Sequence, residues 1–333
     1  MIVRFGYVAM SLEVKDSSPS KTMTMARFKK LPDREAGLRA LEQIARTNLH
    51  NTLRLLRHNV AEDIQMYRMT SKIIPLATHT DLSDWNPYPA LADSFAEVGK
   101  YIRKHNLRVS FHPDHFTVLS TPRPEVLESS IRDLRYHVKM LEAMGLDARS
   151  KNNIHIGGAY GDKPTASERF IEHFQQLDPD IQCRITLEND DKTFTSGETL
   201  AVAQRTGLPM VLDIHHHMVN CAGEPASYWW PEVARTWESP LAMTDVPEGV
   251  HLPPKIHASS PRSETDRRSH ADGVEAGPLL DFLREAARTS SHIDVMLEAK
   301  HKDVALFQLM KDLHNYQGDG VRIIDKASIE VLP

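Results

Sequence analysis

Short β-type runs alternate with amphipathic helical runs eight times along this chain, and that alternation constrains its fold more than any other feature. The β-type runs are Ile2–Tyr7, Met66–Thr70, Arg108–His112, Asn153–Gly157, Arg184–Glu188, Pro209–Asp213, Pro254–Ala258 and Ile293–Glu298. Several are continuous Val/Ile/Leu stretches, as strands buried on both faces should be. Asp33 is placed to cap a helix reaching about His58, with Leu38, Leu41, Ile44 and Ala45 on one face, and Pro124 opens another, in which Val126, Leu127, Ile131 and Leu134 recur at helical spacing. Further helical stretches cover about Tyr88–His105, Thr165–Leu177, Ser196–Thr206, Ala226–Trp237, Gly277–Ser290 and Val304–His314. Strands and helices in strict alternation give a parallel sheet. The expected class is α/β, a TIM-type (β/α)8 barrel, although a doubly wound open sheet would read almost the same. A length of 333 residues suits one barrel with extended loops. No composition shift marks a second domain. Residues 1–316 are therefore expected to form a single barrel, and 317–333, with the β-like Val321–Ile324, a short C-terminal appendage.

Composition narrows the function classes. Hydrophobic residues make up 41% and charged residues 26%, the balance of a soluble globular protein. No stretch approaches the roughly 20 apolar residues that span a bilayer. The opening MIVRFGYVAMSL carries Arg4 inside a short apolar run, which fits a first strand better than a leader. Two cysteines, Cys183 and Cys221, make no disulfide framework, so a cytoplasmic location is expected. The net charge of −5 argues mildly against nucleic acid as a partner, an objection that weakens if divalent cations sit in the cleft.

The chain has 18 histidines, and many of them fall where strands end. His79 follows the Ile73–Leu76 run. His112 closes the third strand, His155 lies in the fourth, Glu188 closes the fifth and Asp213 the sixth, followed by His215, His216 and His217. His257 lies in the seventh and Glu298 closes the eighth. The carboxyl ends of barrel strands converge on one mouth. A lone histidine at a strand end is more often structural, but so many imidazoles and carboxylates in one cavity would be costly without cations. Divalent ions remove that cost. Mixed nitrogen and oxygen donors without cysteine fit Zn²⁺, Mn²⁺ or Fe²⁺, and the number of donors exceeds what one ion needs, so two or three ions are expected. Clustered ions suit in-line displacement at phosphorus.

Lys255 lies two residues before His257 in a β run, so both side chains face the same way. It is either a lysine that snorkels or pairs with a carboxylate, or one that contacts phosphate or is carboxylated beside metals. Arg262, Arg267 and Arg268 sit in the loop after the seventh strand, near His270, as a solvated charge run or as phosphate contacts. The GGAYG loop, Gly157–Gly161, permits close backbone approach but is no phosphate-binding fingerprint. The four tryptophans read as packing residues.

Taken together, RFGYV, FHPDHF, IHIGGAYG, TLENDD, VLDIHHH, PKIHASS and VMLEAK resemble the UV damage endonucleases, from about Met1 to about Lys302. That family is similar in fold to the AP endonucleases and xylose isomerases. The resemblance implies nicking of DNA immediately 5′ to a cyclobutane pyrimidine dimer or 6-4 photoproduct, leaving 3′-hydroxyl and 5′-phosphate ends, with manganese as the usual ion. It implies metal ligands at His79, His112, His155, Glu188, Asp213, His216, His257, His270 and Glu298, and a carboxylated lysine at Lys255. Strand alternation alone would have favoured His215 over His216. Lys255, Glu188 and Glu298 are the candidate catalytic residues, the two glutamates as ligands rather than a general acid/base pair.

By the same resemblance Tyr7 lines the damage site, and His115 and Phe116 stand where the family often has Gln-Tyr, as residues able to wedge into a duplex. Val8–Ser11 lacks the asparagine expected nearby. The partner implied is damaged double-stranded DNA, with no membrane and no obligatory protein partner. The competing readings are a general AP endonuclease, a metal-dependent sugar isomerase on the same barrel, and a lesion-binding protein that never nicks.

Overall fold

A computed structural model describes residues 1–332; Pro333, the last residue of the expected appendage, lies outside the described residues. Eight strands, β1 (Ile2–Val8), β2 (Met66–Arg68), β3 (Arg108–Phe111), β4 (Lys151–His155), β5 (Ile185–Glu188), β6 (Met210–Asp213), β7 (Lys255–Ala258) and β8 (His292–Leu297), pair in parallel in that order. β1 pairs with both β8 and β2, which closes the ring. Each strand is followed by a long helix: α1 (Arg34–Ala61), α2 (Tyr88–Lys104), α3 (Pro124–Ala143), α4 (Lys163–Gln175), α5 (Ser196–Thr206), α6 (Ala226–Thr236), α7 (Ala276–Ala286) and α8 (Lys302–His314). The fold is the (β/α)8 barrel that the alternation indicated.

Local chemistry accounts for the boundaries. The Asp33 carboxylate accepts the Ala36 N–H and starts α1, and Pro124 occupies the first turn of α3. Thr195 and Glu198 make a reciprocal capping box on α5, and Gly207 ends that helix at φ 74°, a left-handed conformation that favours glycine. Alternation sorts the strand residues. Val3, Phe5 and Tyr7 of β1 point outward under the helices, whereas Val8, Met66 and Met296 pack together inside the ring.

The tail forms an antiparallel hairpin, β9 (Val321–Asp325) and β10 (Ser328–Val331), of which only part of β9 was legible beforehand. β10 pairs with Ile2–Arg4, the half of β1 that β2 does not reach, because β2 pairs only with Gly6–Val8. The hairpin thus fills the lower part of the β1–β2 seam. Among the described residues, no helix is long and apolar enough to cross a membrane.

Candidate metal centre

The inward-facing residues at the carboxyl ends of β3 to β8 gather around Glu188. This carboxylate is buried, and its two oxygens face opposite ways. Oε2 lies 3.2 Å from His112 Nε2 and 3.9 Å from His155 Nε2, and accepts a hydrogen bond from the Asn153 amide. Oε1 lies 3.1 Å from His257 Nδ1 and 3.5 Å from His216 Nδ1. Two compact donor sets result, His112 with His155 and Glu188, and Glu188 with Asp213, His257 and Glu298; within each, the donor atoms lie within 4.8 Å of one another. Glu188 belongs to both sets.

The hydrogen bonds sort the histidines. A carbonyl oxygen only accepts, so an imidazole nitrogen facing one carries the proton and leaves its other nitrogen with a free lone pair. His112 Nδ1 donates to the Pro113 carbonyl at 2.9 Å, His155 Nδ1 to that of Glu188 at 3.2 Å, His216 Nδ1 to that of Asn189 at 3.0 Å, and His270 Nδ1 to that of Glu298 at 2.6 Å. Among the described residues, Nε2 makes no hydrogen bond in His155, His216 and His270, whereas that of His112 faces Glu188 Oε2 at 3.2 Å. The neighbours of His216 are different. His215 Nε2 donates to the Arg267 carbonyl at 2.7 Å and its Nδ1 accepts from Ser259 Oγ at 2.6 Å. His217 is engaged in the same way by Glu224 and Ser196. Of the three consecutive histidines only His216 keeps a donor atom. The cause is local: Asp213 ends β6 and caps a short helix, Ile214–Val219, by accepting the His216 N–H, so helical rather than strand periodicity carries His216 back over Asp213. The His270 ring lies 5.2 Å from that of His215 and 6.3 Å from that of His216, at the edge of the cluster.

Electrostatics fits a cation site. Burial pushes the Asp213 carboxyl up, with Glu188 and Glu298 adding to the shift against the pull of His216. Its Oδ2 is buried without a hydrogen-bond partner. Burial also opposes ionisation of Glu188 and Glu298, but His257 and His155 hold the first well below the usual carboxylate range, and Arg68 and His257 hold the second there. Burial disfavours charge on His216 and His257 too, yet the surrounding carboxylates raise both to about 9. Buried Glu188 and Asp213 and half-buried Glu298 are therefore balanced by protons on the imidazoles, and an orphaned carboxylate oxygen among imidazoles is a donor set that divalent cations satisfy by displacing those protons.

The other expected residues are placed less uniformly. His79 stands apart: it begins a short 3-10 turn, its Nδ1 accepts the Asp81 N–H, and among the described residues it makes no hydrogen bond or ring contact with the cluster. Lys255 is buried one layer below His257, with Nζ 3.5 Å from Ser110 Oγ. Burial and then Arg108 push its ammonium well below the usual lysine range. His115 and Phe116 project from the loop after β3, with side-chain exposure of 82% and residue exposure of 64%, and their rings are 4.2 Å apart. Arg262, Arg267 and Arg268 are exposed on the loop after β7, which an isolated bridge between Pro261 and His270 ties to the cluster. Tyr7 departs from expectation. It has no accessible surface, its hydroxyl donates to Asn59 on α1, and its ring packs beside Tyr67. Its outward parity on β1 removes it from direct contact with a duplex in this conformation.

Two contributors escaped the sequence reading. Arg68 closes β2 and pairs with Glu298; as a non-ligand it drew no attention, although it too ends a strand. Asn189 brackets Asp213 by donating to its carbonyl and accepting its N–H, each at 2.9 Å. Around the centre, a cavity of about 510 Å³ opens between Asp114, His115, Gly157, Lys192, His155 and His216. The large apolar side chains left exposed are unevenly placed. Met10, Leu12, Phe116, Tyr160, Met218 and Tyr228 follow β1, β3, β4 and β6, whereas Ile324 and Leu332 lie at the C-terminal hairpin.

Comparison with known proteins agrees with this layout. The family model for UV-endonuclease UvdE matches residues 3–330. A UV DNA damage endonuclease of Halalkalibacterium halodurans is 42% identical over 334 residues, covering 100% of both chains. One from Bacillus pumilus is 43% identical over 320 residues, covering 96% of each. The crystal structure of SacUVDE superposes with a TM-score of 0.80 at 27% identity, covering 95% of this chain and 99% of that one. Endonuclease IV from Thermus thermophilus, at 13% identity and a TM-score of 0.52 over 95% of this chain and 99% of its own, shares the fold. This chain belongs to the UV-endonuclease UvdE family.

Proposed function

We propose that this protein is a UV damage DNA endonuclease that uses divalent metal ions, most simply Mn²⁺, to hydrolyse the phosphodiester immediately 5′ to a pyrimidine dimer or 6-4 photoproduct, leaving 3′-hydroxyl and 5′-phosphate ends. The observation that carries this reading is Glu188, buried between two donor sets with one oxygen facing each. Bound there, two or three cations would activate water and neutralise charge on the phosphoryl oxygens. His112, His155, His216, His257 and His270 with Glu188, Asp213 and Glu298 are the proposed ligands. His79 is kept as an outer ligand that duplex binding would have to draw in.

The chain's own residues supply the rest. Backbone carbonyls hold the Nδ1 protons of four imidazoles and so fix which nitrogen faces the cations. Lys255 is buried among Arg108, Arg68 and Arg4 with Asp294 as the opposing charge, a setting in which a carboxylated Nζ would be better accommodated than an ammonium. Arg262, Arg267 and Arg268 are placed to hold backbone phosphates, which makes binding salt-dependent. His115 and Phe116, adjacent and exposed, are the proposed wedge that tests for weak stacking, since a lesion costs less to unstack than an intact step. Residues 1–316 act as one catalytic unit in this reading, with 317–333 as a structural appendage and no protein partner required.

Nicking of a UV-irradiated supercoiled plasmid beside an unirradiated one, with and without Mn²⁺ and chelator, tests the proposal. The expected outcome is nicking that needs both irradiation and metal, reduced by about 10²–10³-fold or more in His155→Ala and Glu298→Gln with circular dichroism unchanged. Full activity in either variant at saturating Mn²⁺ removes the metal assignment. Cleavage of abasic but not dimer-containing duplex points to a general AP endonuclease.

A further inference from the structure

The opposite end of the barrel holds a second cavity, of about 80 Å³, between the loops that enter β3, β4 and β7. Arg4, Arg103, Arg108 and Arg149 line it, together with His251 and Asp147. These guanidinium groups meet fewer carboxylates than they number. Asp294 is shared by Arg4 and Arg108, and Asp147 is chelated by Arg149 through Nε and Nη2, whereas Arg103 donates only to the carbonyls of Met144 and Gly145. Arg108 is backed by the Trp237 ring at 4.9 Å and has Nε and Nη2 without hydrogen-bond partners. Lys151, donating to two carbonyls nearby, is brought down to about 7 by burial and then by repulsion from Arg108 and Arg184. A chain with an overall excess of acids thus concentrates an excess of cations at one spot, which runs from buried Arg108 to exposed Arg103.

We propose that this floor cavity is a binding site for a small tetrahedral oxyanion of the inorganic phosphate type. Planar guanidinium groups with free N–H donors match the oxygens of such an ion in geometry and charge. The volume is about half that of a cavity of about 150 Å³ that holds benzene, enough for an ion of about five heavy atoms and too little for a nucleoside. The site lies across the barrel from the candidate metal centre and does not depend on the function proposed for it. Its occupation would tie together the segments before β1, β3, β4 and β7, and so stabilise the whole ring.

Thermal unfolding of the full chain, with sodium phosphate replacing sodium chloride at constant ionic strength, tests the site. The expected result is a saturable rise in Tm, as binding to the native state alone requires. In Arg103→Gln and Arg149→Gln the half-saturating concentration should increase by about tenfold or more, and Glu298→Gln should leave it unchanged. If either glutamine variant does not fold, Arg103→Lys and Arg149→Lys keep the charge but lose the planar fork, and the same weakening is expected. A linear rise without saturation, equal in wild type and arginine variants, is the general effect of an excluded salt and overturns the site. A saturable rise that survives the arginine variants but disappears in Glu298→Gln places the anion at the mouth and also overturns it.

Discussion

The mouth and the floor of this barrel are both crowded with buried charge, but their deficits have opposite sign. At the floor, Asp294 is wholly buried and takes Arg4 and Arg108 on its two oxygens, so every carboxylate there is covered and cations are in surplus. At the mouth, Glu188, Asp213 and Glu298 are surrounded by imidazoles, one arginine and one asparagine, and one oxygen of Asp213 has nothing. Ion pairs closed among themselves hold a structure together. Donor atoms left open ask for a partner from outside. The same strands carry both arrangements, Asp294 and Glu298 on β8 and its extension, Lys255 and His257 on β7.

The largest effect expected from this contrast is at the floor. Asp294→Asn should cost about 3–5 kcal/mol, because it leaves two guanidiniums without their carboxylate, while nicking per folded molecule stays near wild type. Chemical denaturation followed alongside the plasmid assay reads both. A near-neutral Asp294→Asn would mean that the floor is not held by this triad, and the contrast would fail.

Next in size is a pH effect confined to the mouth. In metal-free protein, His216 and His257 are raised from 6.5 to about 9, so the stability they contribute is complete below pH 6.5 and is lost as pH rises through about 9. Tm of the chelated protein should therefore fall across that window, and Mn²⁺ should flatten the slope by replacing the protons. Identical slopes with and without metal would show that the protons and the ions do not compete.

The smallest difference separates neighbours in sequence. His217→Ala should cost about 1 kcal/mol of stability through its lost bonds to Ser196 and Glu224, with activity retained. His216→Ala should lower activity instead, and in chelated protein it should remove the part of the pH-dependent stability that His216 supplies. Equal loss of activity in both would undo the distinction drawn from their hydrogen bonds.

Much of the mouth was legible because its chemistry coincides with strand ends: Glu188, Asp213 and Glu298 each close an apolar run, where an unpaired carboxylate is conspicuous. His216 was not separable from His215 by periodicity, since the chain changes from strand to helix at Asp213. Tyr7, which its motif associated with the damage site, is buried on the outer face, where its spacing from Val3 and Phe5 places it. The floor was invisible in a different way. Arg4, Arg103, Arg108 and Arg149 are scattered along the first half of the chain, and only the closure of the ring brings them to one cavity. Nor could local sequence show that Ser328–Val331 pairs with Ile2–Arg4, because that contact links positions more than 300 residues apart.

That last pairing has a consequence for how the protein is made. The Met1 ammonium donates to the Val331 carbonyl at 2.7 Å, and β10 seals the part of β1 that β2 leaves open. Residues 2–4 are synthesised more than 300 residues before residues 328–331, and their edge stays uncovered until that strand arrives. Until then the nascent barrel carries an unsealed edge strand, the kind of surface that chaperones shield and that neighbouring nascent chains can invade.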